Sequence, residues 1–233
     1  MQGHHVGGQP PDPRTSRDAQ SPNGGKLLSV PQGERNNAPG REPARWGWQG
    51  MEAQKVYPDC PFTARSVEVG GLTKAQLVQR LREHSILMNE SAERIFSDDR
   101  FATSPTKHFL QTVELTVANL GYPQGATLAE IYSRATQLGL ELCPLELGPY
   151  LRLAYLDQPE GSFGAPIRQH KPPIGAVTIA SRPLSEDASA PKGFYVRRID
   201  GALWLRGYSA EMTSVWSAGD HFVFCQPTHS LPK

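Results

Sequence analysis

Hydrophobic spacing along the chain becomes regular only after about residue 72, and it then changes period several times before residue 225. Thr73 and Gln76 stand at the three-residue spacing of a helical capping box, and Leu77, Val78 and Leu81 follow on one helical face. Asn89 opens a second helix. Glu90 and Glu93 complement its positive end, Ala92, Ile95 and Phe96 form its apolar stripe, and Ser104-Pro105 closes the pair. Val113, Leu115 and Val117 alternate with Thr112, Glu114 and Thr116, the period of a strand with one buried face. The clearest helix follows: Thr127 and Glu130 make a second capping box, and Leu128, Ile131, Tyr132, Ala135 and Leu138 recur at helical spacing. Gly139 supplies the left-handed stop.

Beyond it, Cys143 to Pro149 reads as one short helical turn between a Pro and a Gly-Pro stop. Leu151, Leu153 and Tyr155 alternate as a strand, closed by a turn at Asp157-Gln158-Pro159-Glu160-Gly161. A Pro- and Gly-rich loop over 162–173 leads to a strand at Val177–Ala180, and a second loop runs from Arg182 to Lys192. Phe194–Ile199 and Ala202–Arg206 flank Asp200-Gly201, the expected type I′ hairpin turn, because Gly tolerates positive φ. Trp216 falls in a connecting loop and Phe222–Cys225 in a last short strand. The expected fold is α+β, with N-terminal helices packed on a largely antiparallel sheet of five or six strands.

Composition divides the chain. Residues 1–50 hold seven Pro and nine Gly with few, unperiodic apolar residues, so they cannot bury enough surface to offset their ordering entropy. The expected domains are a disordered tail over 1–55, one α+β domain over 56–228 and a disordered end over 229–233. Met51 opens the first stretch that reads as folded protein and is a candidate start of translation. No stretch approaches eighteen apolar residues, and Lys26–Val30 is too short for a signal sequence, so no membrane partner is expected. Cys60, Cys143 and Cys225 are an odd number, each more than eighty residues from the next with no C-x-x-C pair, which points to reduced thiols and a cytoplasmic location. A net charge of +1 gives no field that by itself selects nucleic acid.

Leu138-Gly139-Leu140-Glu141-Leu142-Cys143-Pro144, then Gly148-Pro149, Leu151-Arg152-Leu153, Tyr155 and Asp157-Gln158-Pro159-Glu160-Gly161, resembles the core of a family of short uncharacterised bacterial proteins. That family's C-terminal pattern also occurs in order: Phe194-x-Val196, Asp200-Gly201, Leu203-Trp204-Leu205, Trp216 and Phe222-Val223-Phe224. The resemblance spans about residues 110–225. It implies a compact cytosolic domain of bacterial type and implies no activity. The chain departs from the pattern in its first fifty residues and in a longer Pro-rich stretch from Phe163 to Pro173.

Phosphate-binding, dinucleotide, zinc-protease and nucleophile-elbow motifs do not occur, so no cofactor and no metal is expected. His221 and Cys225 would share a strand face about 13 Å apart, too far to chelate one ion. The polar residues Glu141, Cys143, Glu146, Arg152, Asp157 and Gln158 cluster within eighteen positions. Placed mid-strand, Arg152 would grip a carboxylate or phosphate, with Asp157 and Gln158 beside it and Asp157 or Glu146 as acid or base. The bland reading makes Arg152 a structural ion pair with Glu141 or Glu146. Cys143 near a helix start is a candidate nucleophile if His108 or His221 folds close, and otherwise a buried small hydrophobe. Trp204 and Arg206, sharing a strand face near Tyr195, Arg197, Arg198 and Tyr208, are candidate ligand-binding residues for single-stranded nucleic acid.

These features order three functions. The first is a non-enzymatic intracellular binding or interaction module with a protein partner. The second is a small enzyme acting on an anionic substrate held by Arg152. The third is a nucleic-acid-associated regulator using the Tyr195–Arg206 hairpin.

Overall fold

The computed structural model describes residues 55–161, 171–173 and 175–227. The expected tail up to residue 54, the expected C-terminal end and most of the Phe163–Pro173 stretch lie outside the described residues. The described residues form four helices, α1 (Lys74–Glu83), α2 (Glu90–Ser97), α3 (Leu128–Gln137) and α4 (Leu147–Ala154). The strands are β1 (Thr63–Val69), β2 (Leu87–Met88), β3 (His108–Thr116), β4 (Ala126–Thr127), β5 (Val177–Ile179), β6 (Gly193–Ile199), β7 (Ala202–Tyr208), β8 (Val215–Trp216) and β9 (His221–Cys225).

Local chemistry sets the first three helices where the sequence places them. Both capping boxes form, Thr73 with Gln76 and Thr127 with Glu130. Asn89 caps α2 by accepting from Ala92 N at 3.0 Å. The same amide accepts from Gly207 N and donates to Gly207 O, so it also ties α2 to β7. At the end of α3, Gly139 has φ 77°, and Leu140 N donates back to Ala135 O at 2.9 Å, the paired bonds of a Schellman stop. The hairpin turn also forms: Asp200 and Gly201 have φ of 52° and 73°, and Ile199 pairs with Ala202.

The sheet differs from the expectation. It has seven strands in the order β1-β3-β9-β5-β6-β7-β2, and it is mixed, since β5 runs parallel to β9 and β2 parallel to β7. A second, two-strand sheet joins β4 to β8, which places Trp216 in a strand rather than a loop. The helices are not N-terminal either, because β1 precedes them and α3 and α4 fall mid-chain. β1 escapes the pattern because only Val67 and Val69 of its seven residues are buried, at one end of an edge strand.

The segment expected as a strand at Leu151–Tyr155 is helix α4. Pro149 does not stop it, because its missing N–H falls in the first turn, where helical N–H groups have no partner anyway. Its first six residues are all buried, so no amphipathic stripe marks it. α4 packs on β1 at one edge of the sheet and on β6 and β7 near the other, and the sheet curls around it. Close approach to β6 requires Gly148, where a Cβ would lie 2.6 Å from the Phe194 ring.

Two cores result. On the inner face Val67, Phe194, Val196, Leu205 and Val223 meet α1, α2 and α4. On the outer face Val113, Leu115, Tyr195, Phe222 and Phe224 meet α3 and Trp216. Alternate residues of β6 and β9 thus serve opposite cores, the period of two expected of a sheet covered on both faces.

Candidate functional site

The polar cluster expected around Arg152 is not gathered into a pocket. Arg152 lies on α4, not mid-strand, and is 0% exposed. Its Nη1 donates to Gln158 Oε1 at 2.5 Å and to Arg197 O at 3.4 Å, and its Nη2 donates to Tyr155 O. Burial lowers its pKa to about 10. No carboxylate pairs with it among the described residues. Gln158 is itself buried and donates to Val196 O. Asp157 is exposed. Glu146 faces a different neighbour, accepting from Ser104 N at 2.8 Å and from the Ser104 hydroxyl. The Asp157–Gly161 turn is held under the hairpin by Gly161 N to Arg198 O and by Glu160 to Arg198 and Gly201 N.

Cys143 sits not at a helix start but in a bridge to Ser181, with its N donating to Ala180 O. Burial pushes its thiol well up, and its Sγ donates to Val223 O at 3.4 Å. His221 turns away from it, with Nδ1 2.9 Å from Glu114 Oε1.

The aromatic–basic face forms in part. Trp204, Arg206, Arg197 and Tyr195 share the face of the hairpin away from the inner core, with the Arg206 guanidinium 5.0 Å from the Trp204 ring centre. Trp204 is half-exposed and Tyr195 is buried. Arg198 belongs to the other face, with Leu203 and Leu205.

A pocket of about 270 Å³ lies elsewhere, lined by groups that, Tyr208 apart, the sequence did not single out as a site. Four segments build it. The first turns of α3 bring Leu128 and Tyr132, the chain after β5 brings Ser181, Pro183 and Glu186, the entry to β6 brings Lys192, and the end of β7 with the following loop brings Tyr208 and Ala210 to Thr213. The loop is pinned, since Met212 O and Ser214 O accept from Ala129 N and Leu128 N at the free N–H end of α3. Lys192 N donates to Tyr208 O at 2.7 Å, fixing two of the walls together.

Two hydroxyls of these lining residues have no hydrogen-bond partner of ordinary geometry among the described residues. Ser181 is 1% and Tyr208 4% exposed, yet Ser181 Oγ and Tyr208 Oη make no hydrogen bond among the described residues. Both converge above Gly193, where a Cβ would sit 3.1 Å from the first and 3.2 Å from the second. Tyr132 Oη, which donates to Ser181 O at 3.4 Å, also stands beside Tyr208 Oη, and a weak contact between the two phenols contributes to both of their titrations. Burial pushes the Tyr208 phenol up to about 12, and burial with the neighbouring Tyr208 raises that of Tyr132. Lys192 is 7% exposed, and its Nζ donates to Ser185 O and Asp187 O at 3.1 and 2.7 Å. Glu186, Glu211 and Met212 are exposed at the rim. The one signal that could have found the pocket is Gly193 at the head of a β-rich run, since a strand glycine often marks a place where another group approaches the backbone closely.

No family model, no curated protein and no solved structure matches this chain. Among the described residues no helix is long and apolar enough to cross a membrane.

Proposed function

We propose that this chain is a non-enzymatic binding module whose ligand enters the Tyr132–Ser181–Lys192–Tyr208 pocket. The observation that carries this reading is an open volume of about 270 Å³ walled by residues two of whose buried hydroxyls, on Ser181 and Tyr208, lack a hydrogen bond of ordinary geometry. Buried polar groups in folded proteins are nearly always hydrogen-bonded, because an unmet one costs about 1–3 kcal/mol. A pocket lined mainly by apolar groups with a few convergent polar ones is the usual form of a small-ligand site. Phenols held protonated up to high pH act as hydrogen-bond donors near neutrality rather than as proton acceptors, which favours recognition over acid–base chemistry. Screening a fragment library by protein-detected NMR tests the reading. Perturbations should concentrate on Tyr132, Ser181, Tyr208 and Met212. Perturbations scattered over the surface, or none, would sink it.

A second reading rests on the half-exposed Trp204 with Arg206 over its ring and Arg197 opposite, an arrangement suited to stacking an unpaired base. Binding of a single-stranded oligonucleotide should then be lost on Trp204→Ala and fall steeply with added salt. Lack of binding at low salt removes this reading.

A further inference from the structure

The pocket's own chemistry narrows its ligand, an inference that rests on the binding reading above. We propose that the site takes a small monocarboxylate with an apolar body, its carboxylate seated among Lys192, Ser181 and Tyr208.

Lys192 carries three ammonium hydrogens, and two are used by Ser185 O and Asp187 O. The Asp187 carboxylate feels its charge but is taken up by Ser189 N and Oγ, and no carboxylate forms an ion pair with Lys192 among the described residues. A buried cation of this kind is stabilised by a directly bonded anion, and the charge-assisted bond to a carboxylate is among the stronger ones available. The hydroxyls of Ser181 and Tyr208 lie sealed behind the same lining, over Gly193, and become two further donors where a carboxylate parts the wall to reach them. The rest of the wall is mainly apolar, from Leu128, Pro183, Ala210 and Met212, with Tyr132 and Thr213 beside them. Such a wall holds a hydrocarbon or ring better than a sugar.

Charge at the mouth sets an upper limit on the ligand's anionic character. Glu186 and Glu211 are exposed there, so a nucleotide or other polyphosphate would meet like charge before it met Lys192. One carboxylate balances one ammonium, and a positive group at the ligand's far end would meet the rim glutamates favourably. Size sets the other limit. A volume of 270 Å³ holds roughly nine waters at about 30 Å³ each, so the ligand has on the order of ten non-hydrogen atoms.

The test uses the full chain and ligand-observed NMR with four probes: hexanoate, 6-aminohexanoate, hexanamide and hexyl phosphate. Hexanoate and 6-aminohexanoate should bind most tightly, with 6-aminohexanoate at least equal to hexanoate. Tyr208→Phe and Ser181→Ala should each weaken hexanoate by about tenfold, the usual effect of deleting one hydrogen bond to a charged group. Lys192→Met should remove the preference for hexanoate over hexanamide. Lys192 also ties down its loop through Ser185 and Asp187, so the Tyr208→Phe result stands as an independent check. If hexanamide or hexyl phosphate binds as well as hexanoate and that binding is lost on Gly193→Ala, the carboxylate assignment falls and the pocket remains a binding site. If none of the four binds in the millimolar range, both fall.

Discussion

Two clusters of buried polar groups sit on opposite faces of the same sheet, and they differ in how far their hydrogen bonds are met. Under the inner face, Arg152 is closed in by Gln158, Tyr155 O and Arg197 O, with only its Nε left over. Its guanidinium also lies 5.9 Å from the Tyr155 ring centre. Arg65 covers the same ring at 4.1 Å and pairs with Glu114 at 2.7 Å. Glu114 in turn meets His221. The chain of contacts runs from α4 through β1 and β3 to β9, and it is matched almost throughout. At the Tyr208 pocket the reverse holds: two buried hydroxyls lack a hydrogen bond of ordinary geometry, and a volume lies beside the residues that carry them. A dense polar patch in sequence thus marks a structural tie here, while the candidate site is marked by what its groups fail to bond.

The contrast breaks most sharply at Arg152. Arg152→Ala removes the donors that satisfy Gln158 Oε1 and Tyr155 O and leaves a cavity inside the curl of the sheet. It should destabilise the chain by about 3 kcal/mol or more in urea unfolding. A loss below about 1 kcal/mol would mean that Arg152 is not a structural tie, since such values are those of ordinary surface substitutions.

The next largest effect lies at Glu114. Burial raises its pKa, but hydrogen bonds from His221 and Arg65 outweigh that and leave it below the ordinary 4.5. A carboxyl depressed in the folded state contributes stability at pH values above its unfolded pKa. That contribution is lost as pH falls through the folded value. Glu114→Gln should therefore cost about 2 kcal/mol near neutrality, the scale of hydrogen bonds to a charged group. It should also flatten the fall in stability between pH 5 and the acid limit, as followed by thermal unfolding across pH. An unchanged acid limb would detach Glu114 from the tie.

How much of this was legible in sequence follows the range of the interactions involved. The caps of α1, α2 and α3 and the Asp200-Gly201 turn depend on residues three or four positions apart, so the residues themselves announce them. α4 was not legible because a helix buried on all sides shows no stripe, and Leu-Arg-Leu-x-Tyr then mimics a strand. The parallel partners of β5 and β2 are set by long-range pairing, β5 with β9 and β2 with β7, which no local signal encodes. The pocket was hidden for a similar reason: Tyr132, Ser181, Lys192 and Tyr208 come from separate segments, each reading alone as core or loop. Arg152, Asp157 and Glu146, close in sequence, point to three different environments.

The smallest effect is the one that separates the two clusters best. Tyr208→Phe deletes a buried hydroxyl whose one polar neighbour is the Tyr132 phenol and which makes no hydrogen bond of ordinary geometry, so the folded state loses little and sheds a desolvation cost. The variant should be more stable than the wild-type chain by up to about 1 kcal/mol in urea unfolding. The pH dependence carries a second signature. Burial raises the Tyr208 phenol from 10.0 to about 12, so the folded state holds its proton more tightly than the unfolded state does. That contribution is complete below pH 10 and is lost as pH rises toward 12, and Tyr208→Phe should remove this part of the alkaline fall. The same substitution should weaken carboxylate binding. Stability and binding moving in opposite directions is the behaviour of a group kept for a ligand at the expense of the fold. If Tyr208→Phe instead destabilises the chain, the hydroxyl has a structural partner, and the pocket becomes a second tie like the one around Arg152.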